Sequence, residues 1–261
     1  MEKIKVKSNK KVLVLRTCNE DMTSTNGFKW PKKGPVKCTD WKPTNECGNG
    51  LHGFLFGEGE GELASWADTA KWLVVSVSEA DIVNLYGKVK FPKGNVVFCG
   101  NRFDATQYIA ARAPNSVKAI IGHTSVSGDK GVSTSGERGT STSGYMGTSV
   151  SGRFGTSTSG DWGTSTSGHY GTSTSGFSGT STSGDSGTST SDDLGTSTSG
   201  FKGTSTSGDE GTSTSGVGGE LRIRWYDGQR YRLAIGYVGE GGILPNIAYC
   251  LDDKGNFVKK V

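Results

Sequence analysis

Cys18, Cys38, Cys47 and His52 are the most concentrated metal-ligand types in this 261-residue chain. Three thiolates and an imidazole could hold zinc tetrahedrally. The spacing is C-x8-C with the histidine five residues further on, and it lacks the C-x-x-C knuckle of a strong zinc site. Buried free thiols and a structural histidine are the preferred reading, with zinc as the weak alternative and no cofactor expected. Glycines in GEGEG (57–61) could cradle a phosphate, but they fit neither G-x-G-x-x-G nor the Walker pattern, so a solvated loop is expected. Serine is abundant, yet only His52, His123 and His169 could serve as a histidine base. The globular part has no G-x-S-x-G elbow at a strand-to-helix turn. The chain therefore reads as a non-enzyme.

A different chemistry lies in ordered hydroxyls. Residues 123–218 divide without remainder into twelve octads of consensus G-T-S-T-S-G-x-x. Serine holds the third and fifth places throughout, and the threonine places change only to valine, at Val126, Val132 and Val150. A Ser/Thr/Gly tract is usually a flexible linker, because it buries too little apolar surface to offset chain entropy. A linker needs no fixed phase, however, and a fixed period marks a stacked solenoid. Thr-Ser-Thr-Ser predicts a short strand, and x-x between glycines predicts a tight turn whose positive φ glycine supplies. Twelve octads divide into six coils of two or four coils of three. The two-octad coil is preferred, giving a rod roughly 28 Å long.

Period two puts both threonines on one strand face and both serines on the other. Serine then lines a narrow interior, with its hydroxyls bonded along the stack, and threonine forms outward ladders. The Thr-to-Val changes would also suit threonine inside. Ladder candidates are Thr156, Thr158, Thr164, Thr166, Thr172, Thr174, Thr180 and Thr182. Met146, Trp162 and Leu194 fall on one corner edge and Phe154 and Tyr170 on the other, while Phe177 and Phe201 sit one place earlier in their turns. Too large for a thin core, these seven are expected on the surface as partner or self-association candidates. The repeats carry net −4, which argues against wrapping nucleic acid by charge. A small-molecule ligand on the hydroxyl grid stays open.

The expected architecture is mainly β: a small α+β domain over residues 1–122, the octapeptide β-solenoid over 123–218 and a C-terminal β-cap over 219–261. KVLVLRT (11–17), KWLVVSVS (71–78) and NVVFCG (95–100) read as buried strands. Short helices are expected over 62–70 and 104–113, the second capped by Asp104. LRIRWYD and YRLAIGYV alternate as strands of the cap. The basic start MEKIKVKSNKK lacks the apolar core of a secretory signal, no apolar run is long enough to span a membrane, and five scattered cysteines suggest no disulfide framework.

The segments GFKWPKKG, DWKPTNECGNGLHGF and WLVVSV resemble an uncharacterised domain of phage and prophage proteins, in which a C-x-x-G-[LF]-H element precedes short Ser/Thr/Gly-rich repeats. The ending GYVGEGGILPNIAYCLDDKGNFV resembles the tails of the same proteins. That resemblance implies no reaction. It implies a phage or prophage accessory protein in the cytoplasm of a bacterial host, serving as a β-solenoid scaffold or binding module. Two alternatives stand beside it. Thr-x-Thr ladders are similar to those of ice-binding solenoids, and His52-Gly53 resembles the NAD-holding His-Gly element of ADP-ribosyltransferases, although Glu58, Glu60 and Glu62 offer no preferred catalytic acid.

Overall fold

A computed structural model describes residues 10–24 and 26–260; most of the basic N-terminal stretch, on which the signal-peptide reading rested, lies outside them. The chain divides into two compact units, the first ending at His123 and the second beginning at Thr124.

The first unit is built on an antiparallel sheet of seven strands: β1 (Lys11–Cys18), β2 (Gly34–Lys37), β3 (Leu51–Leu55), β4 (Lys71–Ser78), β5 (Val83–Leu85), β6 (Lys88–Phe91) and β7 (Lys93–Gly100). Their spatial order is β2-β7-β4-β1-β3-β6-β5. The apolar runs in β1 and β4 supply both faces of the sheet, as expected of strands buried on two sides. Val12, Val14, Leu73, Val75 and Val77 enter one core cluster, while Leu15, Trp72 and Val74 enter the other. The second cluster is completed by Ala105 and Ile109 of helix α1 (Arg102–Ala110).

Two local expectations fail here. In place of the expected helix over 62–70 there is a single 3-10 turn, Gly61–Leu63, which overlaps only its first two residues. Helix α1 starts two residues early because Asn101 is its cap: the Asp104 N–H donates to the Asn101 side chain at 2.9 Å. The Asn101 amide in turn donates to the Asp104 carboxylate (2.9 Å), so Asp104 is the reciprocal partner of the cap.

The second unit is a β-solenoid of two octads per coil and six coils. Its twelve strands, β8 (Thr124–Val126) to β19 (Thr212–Thr214), contribute one per octad. Odd octads stack parallel and in register in one sheet and even octads in the other. Backbone pairing continues around the corners. The Thr148 N–H donates to the Gly131 carbonyl (2.9 Å), Gly144 to Gly128 (3.2 Å) and Met146 to Asp161 (2.8 Å). Four strands cap the last coil. β20 (Glu220–Tyr226) extends the odd sheet from β18 (Thr204–Ser207) and pairs with β21 (Tyr231–Tyr237); β22 (Tyr249–Leu251) and β23 (Phe257–Lys259) extend the even sheet from β19.

The corner chemistry differs from the expectation. In eleven of the twelve four-residue turns the second x residue, which is not a glycine, takes the left-handed conformation, and only in the last turn is it a glycine, Gly218. Lys130, Phe154, Trp162 and Leu194 have φ of 55°, 54°, 58° and 59°. This is the i+2 position of a type II turn, closed for example by Gly147 N–H to the Gly144 carbonyl at 3.0 Å. Octad glycines serve close approach instead. A Cβ on Gly187 would lie 2.8 Å from the Ser183 Cβ and 2.9 Å from the Gly171 carbonyl oxygen, an acceptor in the coil-to-coil ladder. Aspartate recurs as the first x residue because it ties neighbouring coils: Asp129, Asp161 and Asp185 accept from the N–H of Tyr145, Phe177 and Phe201, each at 2.9 Å.

Serine faces inward: the third- and fifth-place serines from Ser133 to Ser215 are all buried. Hydroxyl pairing along the interior is sparser than expected. Ser199 and Ser215 pair at 2.9 Å, and Ser141 donates to the Val150 carbonyl at 2.6 Å. Fifteen buried serine Oγ atoms among the described residues have no partner.

Left-handed backbone at a residue with a Cβ costs about 1–2 kcal/mol, and asparagine tolerates it better. Ser186→Asn is therefore expected to raise the urea midpoint, by the equivalent of about 0.5 kcal/mol. Gly187→Ala, one residue on, is expected to lower it by about 2 kcal/mol or more, because the new methyl has no room. Equilibrium unfolding followed by circular dichroism checks both.

Candidate functional site

Both sheets of the solenoid turn their threonines outward. On the odd sheet Thr140, Thr156, Thr172, Thr188 and Thr204 lie in register in one row, and Thr142, Thr158, Thr174, Thr190 and Thr206 in a second. The even sheet repeats the arrangement, with Thr164, Thr180 and Thr196 beside Thr166, Thr182 and Thr198. Parallel-strand geometry sets the two rows about 6.6 Å apart along the strand and successive coils about 4.8 Å apart. The eight ladder threonines read from the sequence occupy the two central coils, Thr156, Thr158, Thr172 and Thr174 on one face and Thr164, Thr166, Thr180 and Thr182 on the other.

Threonine is stiff at χ1, so a regular backbone makes a regular array of methyls and hydroxyls. The valine replacements keep the methyl: Val126 and Val132 are exposed at 73% and 71%, where burial cannot account for them. At the capped end the Thr212 hydroxyl accepts from the Lys260 ammonium at 2.7 Å and the residue is buried, which closes that row.

The corner side chains form short ladders. Phe154 and Tyr170 stack with centroids 5.1 Å apart, and the Arg138 and Arg153 guanidiniums lie over Phe154. Trp162 meets Phe177 edge-on at 6.1 Å. Met146, Trp162, Tyr170, Phe177, Leu194 and Phe201 are exposed and Phe154 is half-buried. Ser178 and Ser186 interrupt both edges, so neither carries an unbroken apolar stripe.

In the first unit, Cys38, Cys47 and His52 line a cavity of about 740 Å³ with Arg16, Trp30 and Lys88. Cys18 is not among its lining residues. No group of three or more His, Cys, Asp or Glu among the described residues has metal-binding geometry. Each candidate has another partner or environment. Burial pushes the Cys18 thiol up to about 11, and the Cys38 thiol donates to the Pro92 carbonyl at 3.2 Å. The Lys88 ammonium, 3.1 Å from the Cys47 sulfur, lowers that thiol's pKa. His52 accepts from the Gly48 N–H at 3.4 Å, and its pKa is pushed down to about 4, first by burial and then by Lys88, Arg16 and Lys90. Those three basic residues were missed in the sequence. The one signal for them was K-V-K in β6, which puts Lys88 and Lys90 on one strand face, with Lys90 opposite His52.

Stacked octads with outward threonine rows define a β-solenoid repeat protein. Residues 12–111 match a family described as Domain of unknown function (DUF7666). Curated relatives carry the name ice nucleation protein. That of Xanthomonas campestris pv. translucens is 43% identical over 106 residues, covering 40% of this chain and 7% of the relative. That of Pseudomonas fluorescens is 43% identical over 104 residues, covering 39% and 9%. Ice nucleation protein InaU of Pantoea ananas is 38% identical over 101 residues, covering 38% and 10%. The chain thus spans a tenth or less of the length of these relatives. No solved structure matches.

Similarity to bacterial ice nucleation proteins overturns the phage or prophage accessory reading and, with it, the assignment to the cytoplasm of a host cell. The solenoid and these relatives describe a non-enzymatic scaffold, and the ADP-ribosyltransferase-like alternative gains no support from them.

A histidine whose folded pKa lies below its unfolded value of about 6.5 favours unfolding when protonated. Its contribution to stability is intact above pH ~6.5 and is lost as pH falls toward about 4. His52→Gln is expected to flatten the fall in urea midpoint across that window and to leave the midpoint at pH 8 nearly unchanged. A pH series of unfolding curves checks this.

Proposed function

We propose that this protein binds ice, or water ordered as in ice, through the threonine faces of its solenoid. One observation carries the reading: two in-register threonine rows on each sheet, stiff at χ1 and held by continuous backbone pairing between coils. The names of the relatives support it, as do the exposed valines, which keep the methyl where only the surface shape gains from it.

An ice embryo must exceed a critical size before it grows, and that size shrinks with supercooling. A six-coil face is small, roughly 28 Å long. On this reading the single chain holds to existing ice crystals more effectively than it starts new ones. The corner residues Met146, Phe154, Trp162, Tyr170, Phe177, Leu194 and Phe201 would then flank the faces, where lateral contacts between rods could form.

The test is thermal hysteresis with crystal morphology. Unaltered protein is expected to halt ice growth over a measurable gap and to facet the crystals. Thr156→Lys with Thr172→Lys alters one face, and Thr164→Lys with Thr180→Lys alters the other. The pair on the working face is expected to reduce hysteresis several-fold without changing the circular dichroism spectrum, and Thr172→Val is expected to retain most of it. Ordinary ice growth at high concentrations of unaltered protein would sink the reading.

A further inference from the structure

β21 is the outermost strand of the odd sheet and pairs on one side only, with β20. The phase of that ladder is fixed at both ends. The Asp227 N–H donates to the Arg230 carbonyl (3.1 Å) and the Val238 N–H to the Gly219 carbonyl (3.0 Å). Bonded and non-bonded pairs alternate in an antiparallel ladder. Arg232, Ala234 and Gly236 therefore direct their backbone groups to β20. Tyr231, Leu233 and Ile235 direct theirs to the free edge, as does the Tyr237 N–H, while the Tyr237 carbonyl accepts from the Glu240 N–H at 3.0 Å.

The same four residues expose their side chains, at 56%, 51%, 47% and 52%. Edge strands are normally blunted by proline, lysine, a bulge or a covering segment. β21 has no proline or lysine, its register with β20 is regular over all seven residues, and its one charge, Arg232, is engaged by Asp227. No described strand pairs with the open side.

The sequence of the strand, Tyr-Arg-Leu-Ala-Ile-Gly-Tyr, is close to its own reverse in chemical type. Turned antiparallel about Ala234, it sets Tyr231 opposite Tyr237, Leu233 opposite Ile235, and Arg232 opposite Gly236, so no like charges meet. In that register Tyr231–Tyr237 and Leu233–Ile235 are the hydrogen-bonded pairs and Ala234–Ala234 is a non-bonded pair. The groups already facing outward are the ones that bond.

We infer that β21 docks on β21 of a second copy of this chain, antiparallel and centred on Ala234. Leu233 and Ile235 of each copy bond through both their N–H and C=O, the Tyr237 N–H donates to the Tyr231 carbonyl of the second copy, and the two odd sheets join into one. The contact is isologous and closes as a two-fold dimer. Tyrosine, leucine and isoleucine from both copies form one apolar strip on the outer face. The pairing does not depend on ice binding, and loss of hysteresis would leave it standing.

Sedimentation equilibrium of the full chain, with a monomer mass of 27.4 kDa, reads the association directly. Leu233→Pro removes an N–H from the free edge and none from the β20 ladder, a position where an edge strand accepts proline. Ile235→Lys adds a charge to the same edge. Unaltered protein is expected to be dimeric, and each variant to weaken dimerisation at least tenfold with an unchanged circular dichroism spectrum. The register is read by Ala234→Cys on a Cys47→Ser background, since a non-bonded antiparallel pair brings Cα atoms to about 4.5 Å, within disulfide reach. Mild oxidation is expected to give a covalent dimer. A monomer at the highest soluble concentration, or dimers that persist unweakened in both edge variants, would overturn the inference. Failure of the Ala234→Cys protein to cross-link while dimeric would overturn the register.

Discussion

Backbone hydrogen bonding between successive coils is the interaction on which the second unit depends. Each strand bonds to the strand sixteen residues away, and the corners carry the same pairing through Thr148–Gly131 and Met146–Asp161. Side chains supply little apolar burial along this stretch, because the interior is serine and glycine. Such a ladder tolerates no change of phase, since a one-residue slip would turn every serine outward and every threonine inward. The unbroken octad period is the sequence form of that constraint.

Small interior residues follow from the same requirement. Two sheets close enough to share the glycine corners leave space for a hydroxymethyl group and little more. The interior is then polar, and serine hydroxyls without a protein partner there lower stability relative to a fully bonded column. The left-handed corner residues add strain of their own. Both are offset by a ladder that runs around the whole coil. In return, the outward positions are held on a regular lattice, and this gives the threonine rows their spacing.

How much of this was legible follows from which signals are local. Strict period two in Thr-Ser-Thr-Ser placed serine and threonine on opposite faces, and the length of the tract allowed six coils. The corner conformation was misread because glycine is the usual carrier of positive φ. Here the glycines are fixed by contact with the next coil, which the sequence of one octad does not contain. Asn101 was overlooked as a cap in favour of Asp104, since both are capping types three residues apart and only the packing of α1 on the sheet decides between them. The ligand-type residues of the first unit were found, but their setting was not. The Cys47 thiol is lowered by its hydrogen bond to Lys88, and the His52 pKa is lowered first by burial and then by Lys88, Arg16 and Lys90, which strand pairing, not sequence proximity, brings near.

The two-octad coil also imposes a parity on the rod. β20 and β21 continue the sheet of odd octads because the repeat count between the first coil and the cap is even. Two further octads would lengthen both threonine faces and leave the free edge of β21 on the same side. One further octad would carry the cap onto the opposite sheet and exchange the roles of the two faces at that end. Variation in length is thus quantised in steps of sixteen residues wherever the handedness of the two ends matters, even though the chemical unit is eight.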